Sequence, residues 1–155
     1  MAQEWMLGLT RRQALSIAAG TIGAAALGVA TPASAANDSA DLIKKFTGGK
    51  EPVAGKVKLD LPEIAENGNT VPLSVAVESP MTEQSFVQQI LVVADGNPNG
   101  GIATFNFTPQ SGAAEATTRI RLATTQNVIA IARMNDGSFS MDTKQIKVTI
   151  GGCGG

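Results

Sequence analysis

The sequence predicts an all-β fold: an immunoglobulin-like antiparallel β-sandwich of about seven strands, with a short N-terminal helix and a flexible C-terminal arm. Three observations carry that expectation. From residue 55 onward apolar residues recur at every second position, as in Val57, Leu59, Leu61 and again in Val71, Leu73, Val75, Val77. That is the period of a strand with one buried face. Turn residues break these runs at short, regular intervals, as in Asn97-Pro98-Asn99-Gly100 and Asn135-Asp136-Gly137-Ser138. No stretch of helical period lies between the runs, so the crossover helices of a parallel βαβ sheet are missing.

Taken in order, residues 1–35 read as an export address. Thr10-Arg11-Arg12-Gln13-Ala14-Leu15 sets paired arginines before a mildly apolar run over 14–30, and Pro32-Ala33-Ser34-Ala35 supplies a small-residue cleavage site. Ser16, Gly20, Thr21, Gly23 and Gly28 interrupt the run, which falls short of the ~20 apolar residues a membrane span needs. The expectation is twin-arginine export, cleavage after Ala35, a periplasmic location and no membrane attachment afterwards. Twin-arginine export moves folded proteins, and this chain offers no cofactor ligands. A partner that folds onto the domain before export is therefore expected to leave with it.

Residues 36–52 read as a short helix and linker. Asn37, Asp38 or Ser39 can cap its start, Lys44 and Lys45 suit its end, and Gly48 can stop it. Leu42, Ile43 and Phe46 share one face, to be laid either on the chain's own domain or on a partner. Residues 53–150 form the sandwich. The strands expected after 57–61 and 71–77 cover 86–94, 103–107, 118–123, 128–134 and 139–150, with a turn at Glu66-Asn67-Gly68-Asn69. On 118–123, Ile120 and Leu122 point in while Arg119 and Arg121 face outward. The stretch 128–134 is apolar on both faces, as suits a central strand or one covered by a partner.

The chain closes on Gly151-Gly152-Cys153-Gly154-Gly155. Cys153 is the only cysteine, and histidine and tyrosine are both absent. One cysteine makes neither an internal disulfide nor a zinc site, so no metal and no bound cofactor are expected. Without histidine the commonest general base is missing, and no Ser/His/Asp or Cys/His set exists. A formal net charge of −1 argues against nucleic acid as a partner. Past Ile150, three extended residues carry the thiol roughly 10 Å from the sheet end. An exposed thiol has a pKa near ~8.5 and is a weak nucleophile at neutral pH. It suits carriage into another protein's electropositive cleft better than turnover. A structural module that uses Cys153 only for an intermolecular disulfide, giving a linked dimer, is the alternative. A C-terminal thiocarboxylate needs ATP-dependent activation and a β-grasp fold with a helix, neither of which an exported sandwich meets, and prenylation needs three residues after the cysteine.

These features together resemble the SoxY family of sulfur carriers. The resemblance runs through Pro62-Glu63-Ile64-Ala65-Glu66-Asn67-Gly68, Val77-Glu78-Ser79-Pro80-Met81-Thr82 and Ala103-Thr104-Phe105. It continues through Thr118-Arg119-Ile120-Arg121-Leu122-Ala123 and Asn135-Asp136-Gly137-Ser138-Phe139, and rests most on the terminal GGCGG. It implies a non-catalytic carrier of sulfur intermediates in thiosulfate oxidation, paired with SoxZ. It also implies Cys153 as the covalent attachment site, with Gly151, Gly152, Gly154 and Gly155 as a swinging arm. SoxAX would join thiosulfate to the cysteine, SoxB would release sulfate, and SoxCD, where present, would oxidise the remaining sulfur.

Overall fold

The computed structural model describes residues 37–152; residues 1–36, which include the segment expected to direct export, and Cys153, Gly154 and Gly155 lie outside the described residues. The first element, helix α1 (Ser39–Thr47), ends where Gly48 turns left-handed at φ +63 and donates its N–H to the Lys44 carbonyl. Nine strands follow: β1 (Val53–Ala54), β2 (Val57–Asp60), β3 (Ile64–Asn67), β4 (Val71–Val77) and β5 (Val87–Ala94), then β6 (Gly101–Asn106), β7 (Ala114–Ile120), β8 (Gln126–Met134) and β9 (Phe139–Ile150). The larger sheet runs β1-β9-β8-β5-β6, with β3 paired to the far part of β9; the smaller runs β2-β4-β7.

The two-residue period produces the sandwich directly. Val57 and Leu59 of β2, Val71, Leu73, Val75 and Val77 of β4, and Ile120 of β7 all point between the sheets. They meet Ile90 and Val92 of β5, Val128 and Met134 of β8, and Ile146 of β9 in one core. Each large side chain so buried contributes about 1.5–3 kcal/mol against exposure.

The sequence misses two strands. β1 is two residues long, too short to show a period. β3 holds Glu66 and Asn67, whose turn chemistry hid it; the turn begins at Gly68 instead. Both pair parallel with β9, Val53 with Ser140 and Ile64 with Lys147, so the sandwich is not antiparallel throughout. β7 begins at Ala114 and stops at Ile120, leaving Arg121, Leu122 and Ala123 as an irregular segment. Alanines 114 and 116 carry too weak an alternation to reveal the early start.

Helix α1 lies on the outer face of the larger sheet, packed against β5. Phe46 meets Phe139 edge-on, with centroids 5.8 Å apart and planes at 67°. Asp38 Oδ1 accepts the Gly100 N–H at 2.6 Å, and Asn37 Nδ2 donates to the Ala94 carbonyl at 3.0 Å and to the Asn97 carbonyl. Leu91, Val93 and Ile131 alternate with core residues, yet are buried on this outer face. Leu91, Val93 and Ile131 thus find cover within the chain, whereas Ile129 beside them on 128–134 stays half-buried. The helix also docks on its own domain.

Candidate functional site

Three chain segments converge at one end of the sandwich and fix where the C-terminal arm leaves it. The first is the turn after β3. Gly68 donates its N–H to the Ile150 carbonyl at 2.8 Å and accepts the Leu122 N–H on its own carbonyl at 2.8 Å. The second is the irregular segment 121–125. The third is the end of β9 and the two glycines beyond it.

The end of β9 and this irregular segment lie side by side, antiparallel. Val148 N–H donates to Thr125 Oγ1 at 3.0 Å. Gly151 lies so close to Ala123 that an added Cβ would overlap the Ala123 carbonyl oxygen. Gly152 N–H then donates to the Leu122 carbonyl at 3.0 Å. On its other side a Cβ at Gly152 would stand 2.7 Å from the Gly68 carbonyl carbon and oxygen and 2.8 Å from Asn69 N. A Cβ at Gly68 would overlap the same Leu122 carbonyl oxygen. Glycine at 68, 151 and 152 answers this close backbone approach.

The sequence expectation placed Gly151 and Gly152 in a slender arm that begins where the strand ends. In the structure Gly151 is exposed but pressed on Ala123, and Gly152 is buried and hydrogen-bonded. The base of the arm is thus seated on the domain. Any free reach is counted from Gly152, the residue directly before the cysteine in sequence. Cys153, Gly154 and Gly155 lie outside the described residues.

Two buried amides that sequence reasoning passed over hold the seat in place. Asn97 Nδ2 donates to the Arg121 carbonyl at 2.9 Å, while its Oδ1 accepts the Ala123 N–H at 2.9 Å and Gln126 Nε2 at 2.9 Å. Gln126 Nε2 also donates to the Thr124 carbonyl at 3.0 Å, and its Oε1 accepts the Gly96 N–H at 2.8 Å. The backbone of 121–124 is therefore pinned from below although it belongs to no strand. In sequence Asn97 was one of several turn residues, and nothing in its neighbours signals a buried role. Asn97→Ala is expected to lower stability by about 2–3 kcal/mol, because several of its partners stay buried without replacements. Amide hydrogen exchange at Ala123 and Gly152 should quicken together; a change confined to the 95–101 loop would contradict the link.

No group of His, Cys, Asp or Glu that could hold a metal occurs among the described residues. Among those residues, too, no helix is long and apolar enough to cross a membrane. The geometry gives the chain beyond β9 a fixed point of departure at Gly152.

Comparison with known proteins agrees with this layout. Residues 43–153 match the family described as Sulfur oxidation protein SoxY, a match that spans the sandwich and ends on Cys153. No curated protein matches the chain. Among solved structures, the sulfur carrier protein SoxY from Chlorobium limicola f thiosulfatophilum is 27% identical, with a TM-score of 0.59. The alignment covers 70% of this chain and 89% of that one. A superoxide reductase (neelaredoxin) from Ignicoccus hospitalis is 20% identical at a TM-score of 0.55, covering 61% of this chain and 80% of that one. A putative superoxide reductase from Thermotoga maritima is 21% identical at 0.51, covering 66% and 89%. The two reductases share the fold alone. With most of its length matched, from within helix α1 to the lone thiol, the chain belongs to the SoxY family of sulfur oxidation proteins.

Proposed function

We propose that the protein is a periplasmic carrier that holds sulfur intermediates of thiosulfate oxidation covalently on Cys153. The observation that carries this reading is the family match, which extends from the sandwich to the single cysteine. The geometry adds a reason: β9 delivers the chain end to a fixed exit, so the thiol starts each visit from the same place. The domain supplies position, and the chemistry belongs to the enzymes that visit. SoxAX conjugates thiosulfate to Cys153, SoxB hydrolyses the terminal sulfonate, and SoxCD, where the host has it, oxidises what remains. SoxZ is the partner subunit, and the two leave the cytoplasm together by twin-arginine export. Gly151, Gly152, Gly154 and Gly155 form the arm, which peels from its seat to enter each enzyme. This role needs no metal or cofactor, and no catalytic residue in this chain.

The second reading is a structural module whose Cys153 only makes an intermolecular disulfide. Intact mass of the protein taken from the periplasm separates the two. Carriage predicts a population with added sulfur or sulfonate on Cys153. A plain thiol together with a disulfide-linked dimer, and no adduct under any growth condition, supports the structural module instead.

A further inference from the structure

We propose that Asn67 is a site of spontaneous deamidation, held in check by one backbone hydrogen bond, and that its conversion dismantles the seat at Gly152. The inference stands apart from the carrier reading, since it uses nothing beyond Gly152. Glycine follows asparagine or aspartate at Asn67-Gly68, Asp95-Gly96, Asn99-Gly100 and Asp136-Gly137. A glycine nitrogen, unhindered by a Cβ on its own residue, can attack the preceding side-chain carbonyl carbon and close a five-membered imide. In every one of these pairs the fold engages the glycine N–H. Gly68 donates to the Ile150 carbonyl at 2.8 Å and Gly96 to Gln126 Oε1 at 2.8 Å. Gly100 donates to Asp38 Oδ1 at 2.6 Å and Gly137 to the Met134 carbonyl at 3.1 Å. A nitrogen held in this way cannot turn onto its neighbour until the bond opens.

Asn67 is the least guarded of them. A carboxylate is a poorer electrophile than an amide, which sets Asp95 and Asp136 aside. At Asn99-Gly100 the acceptor is a carboxylate, which makes a hydrogen bond roughly twice as strong as a neutral carbonyl does. The Gly100 carbonyl is tied as well, by the Ala94 N–H at 2.8 Å. At Asn67-Gly68 the acceptor is a neutral carbonyl at the end of β3, a four-residue strand paired, among the described residues, with β9 alone. A short edge strand of this kind opens locally at little cost. Thr149 Oγ1 clips it down by donating to the Glu66 carbonyl at 2.9 Å. Asn67 is itself exposed, and its Oδ1 accepts the Asn69 N–H at 2.9 Å, a contact that stabilises the oxyanion formed on attack. Once Ile150 lets go, the Gly68 nitrogen bonds to the Asn67 side-chain carbon. The bond to the amide nitrogen breaks, and ammonia leaves with the bonding pair and the proton that Gly68 gave up. Water then opens the imide to aspartate or, at the main-chain carbonyl, to isoaspartate; nothing is oxidised or reduced. Isoaspartate adds a methylene to the main chain ahead of Gly68. That displaces the glycine whose carbonyl takes the Leu122 N–H and whose backbone lies against Gly152.

The test ages the purified full-length protein at neutral pH in water enriched in heavy oxygen and maps its peptides by mass spectrometry. Asn67 is expected to convert ahead of Asn99, with one heavy oxygen taken up from the water that opened the ring. Thr149→Val keeps the side chain's shape and removes the clip. Loss of that one hydrogen bond should speed conversion at Asn67, and Gly68 amide exchange with it, roughly fivefold. Converted protein, separated by its added charge, should exchange the Gly152 and Ala123 amides faster than fresh protein. Asn67→Ser, whose hydroxyl can still accept the Asn69 N–H, should age without that change. Gly152→Val, which empties the seat by a separate route, is the second variant. Conversion should follow Gly68 exchange across the wild type and both variants, and conversion that ignores it would overturn the guarding bond. Conversion of Asn99 ahead of Asn67 would overturn the choice of site. Converted protein whose Gly152 exchange is unmoved would show that the seat survives the change, against the proposal.

Discussion

Cys153→Ser is expected to abolish thiosulfate-dependent respiration in the host, leaving less than about 1% of the wild-type rate, while the domain folds and binds its partner normally. A serine hydroxyl is not appreciably ionised at neutral pH, whereas even an unperturbed thiol supplies a few per cent of thiolate. The variant therefore cannot form the bond to sulfur on which every later step depends. Stability should change by no more than about 0.5 kcal/mol, because the substitution leaves every residue of the core cluster in place. Every hydrogen bond that seats the arm's base uses the backbone of Gly68, Leu122, Ile150 or Gly152, and the substitution leaves these in place. Normal respiration would contradict the carrier role. Lost respiration accompanied by lost partner binding would favour the structural reading.

Gly152→Val is expected to slow loading of Cys153 by about tenfold, for a reason the sequence alone did not supply. A slender arm fits narrow enzyme channels, and valine would widen it. The structure adds that any Cβ at 152 meets Gly68 and Asn69 backbone atoms at 2.7–2.8 Å, so the base cannot seat. Overpacking of this kind costs about 1–3 kcal/mol. Loss of the hydrogen bond from Gly152 to the Leu122 carbonyl removes about 1 kcal/mol more, and the seated state empties. Gly68→Ala separates the two causes, since it crowds the same seat through the Leu122 carbonyl and leaves the arm itself unchanged. If seating aims the thiol, Gly68→Ala slows loading about threefold and raises hydrogen exchange at Gly152. If only arm width matters, it leaves loading untouched. Wild-type loading in both variants would show that neither matters.

Much of this was legible in the residues themselves. Val71, Leu73, Val75 and Val77 announce β4 because one buried face imposes a strict two-residue period, and all four lie in the core. The helix ended at Gly48 as its left-handed cap requires. Ile129 and Ile131, beside Val128 and Ala130, showed that 128–134 was apolar on both faces, but not what covered it; a sequence pattern does not say which chain supplies the cover. The seat of the arm was less visible still. It depends on Gly68, Leu122 and Gly152, far apart in sequence and joined through backbone groups that every residue type carries. Asn97 and Gln126 read as ordinary polar loop residues, since a buried amide network depends on tertiary position and leaves no local pattern. Glycine at 151 and 152 read as slenderness, whereas close backbone approach explains it in the described structure.

Sulfur resting on Cys153 during turnover is the step on which carriage turns. Mass spectrometry of the C-terminal peptide answers this directly, using cells fed thiosulfate with a heavy isotope in its outer, non-sulfonate sulfur. The expected result is a Cys153 peptide bearing the heavy sulfur, first with and then without its sulfonate group. A peptide that shows only free thiol or a cysteine–cysteine disulfide while thiosulfate is being consumed would contradict it.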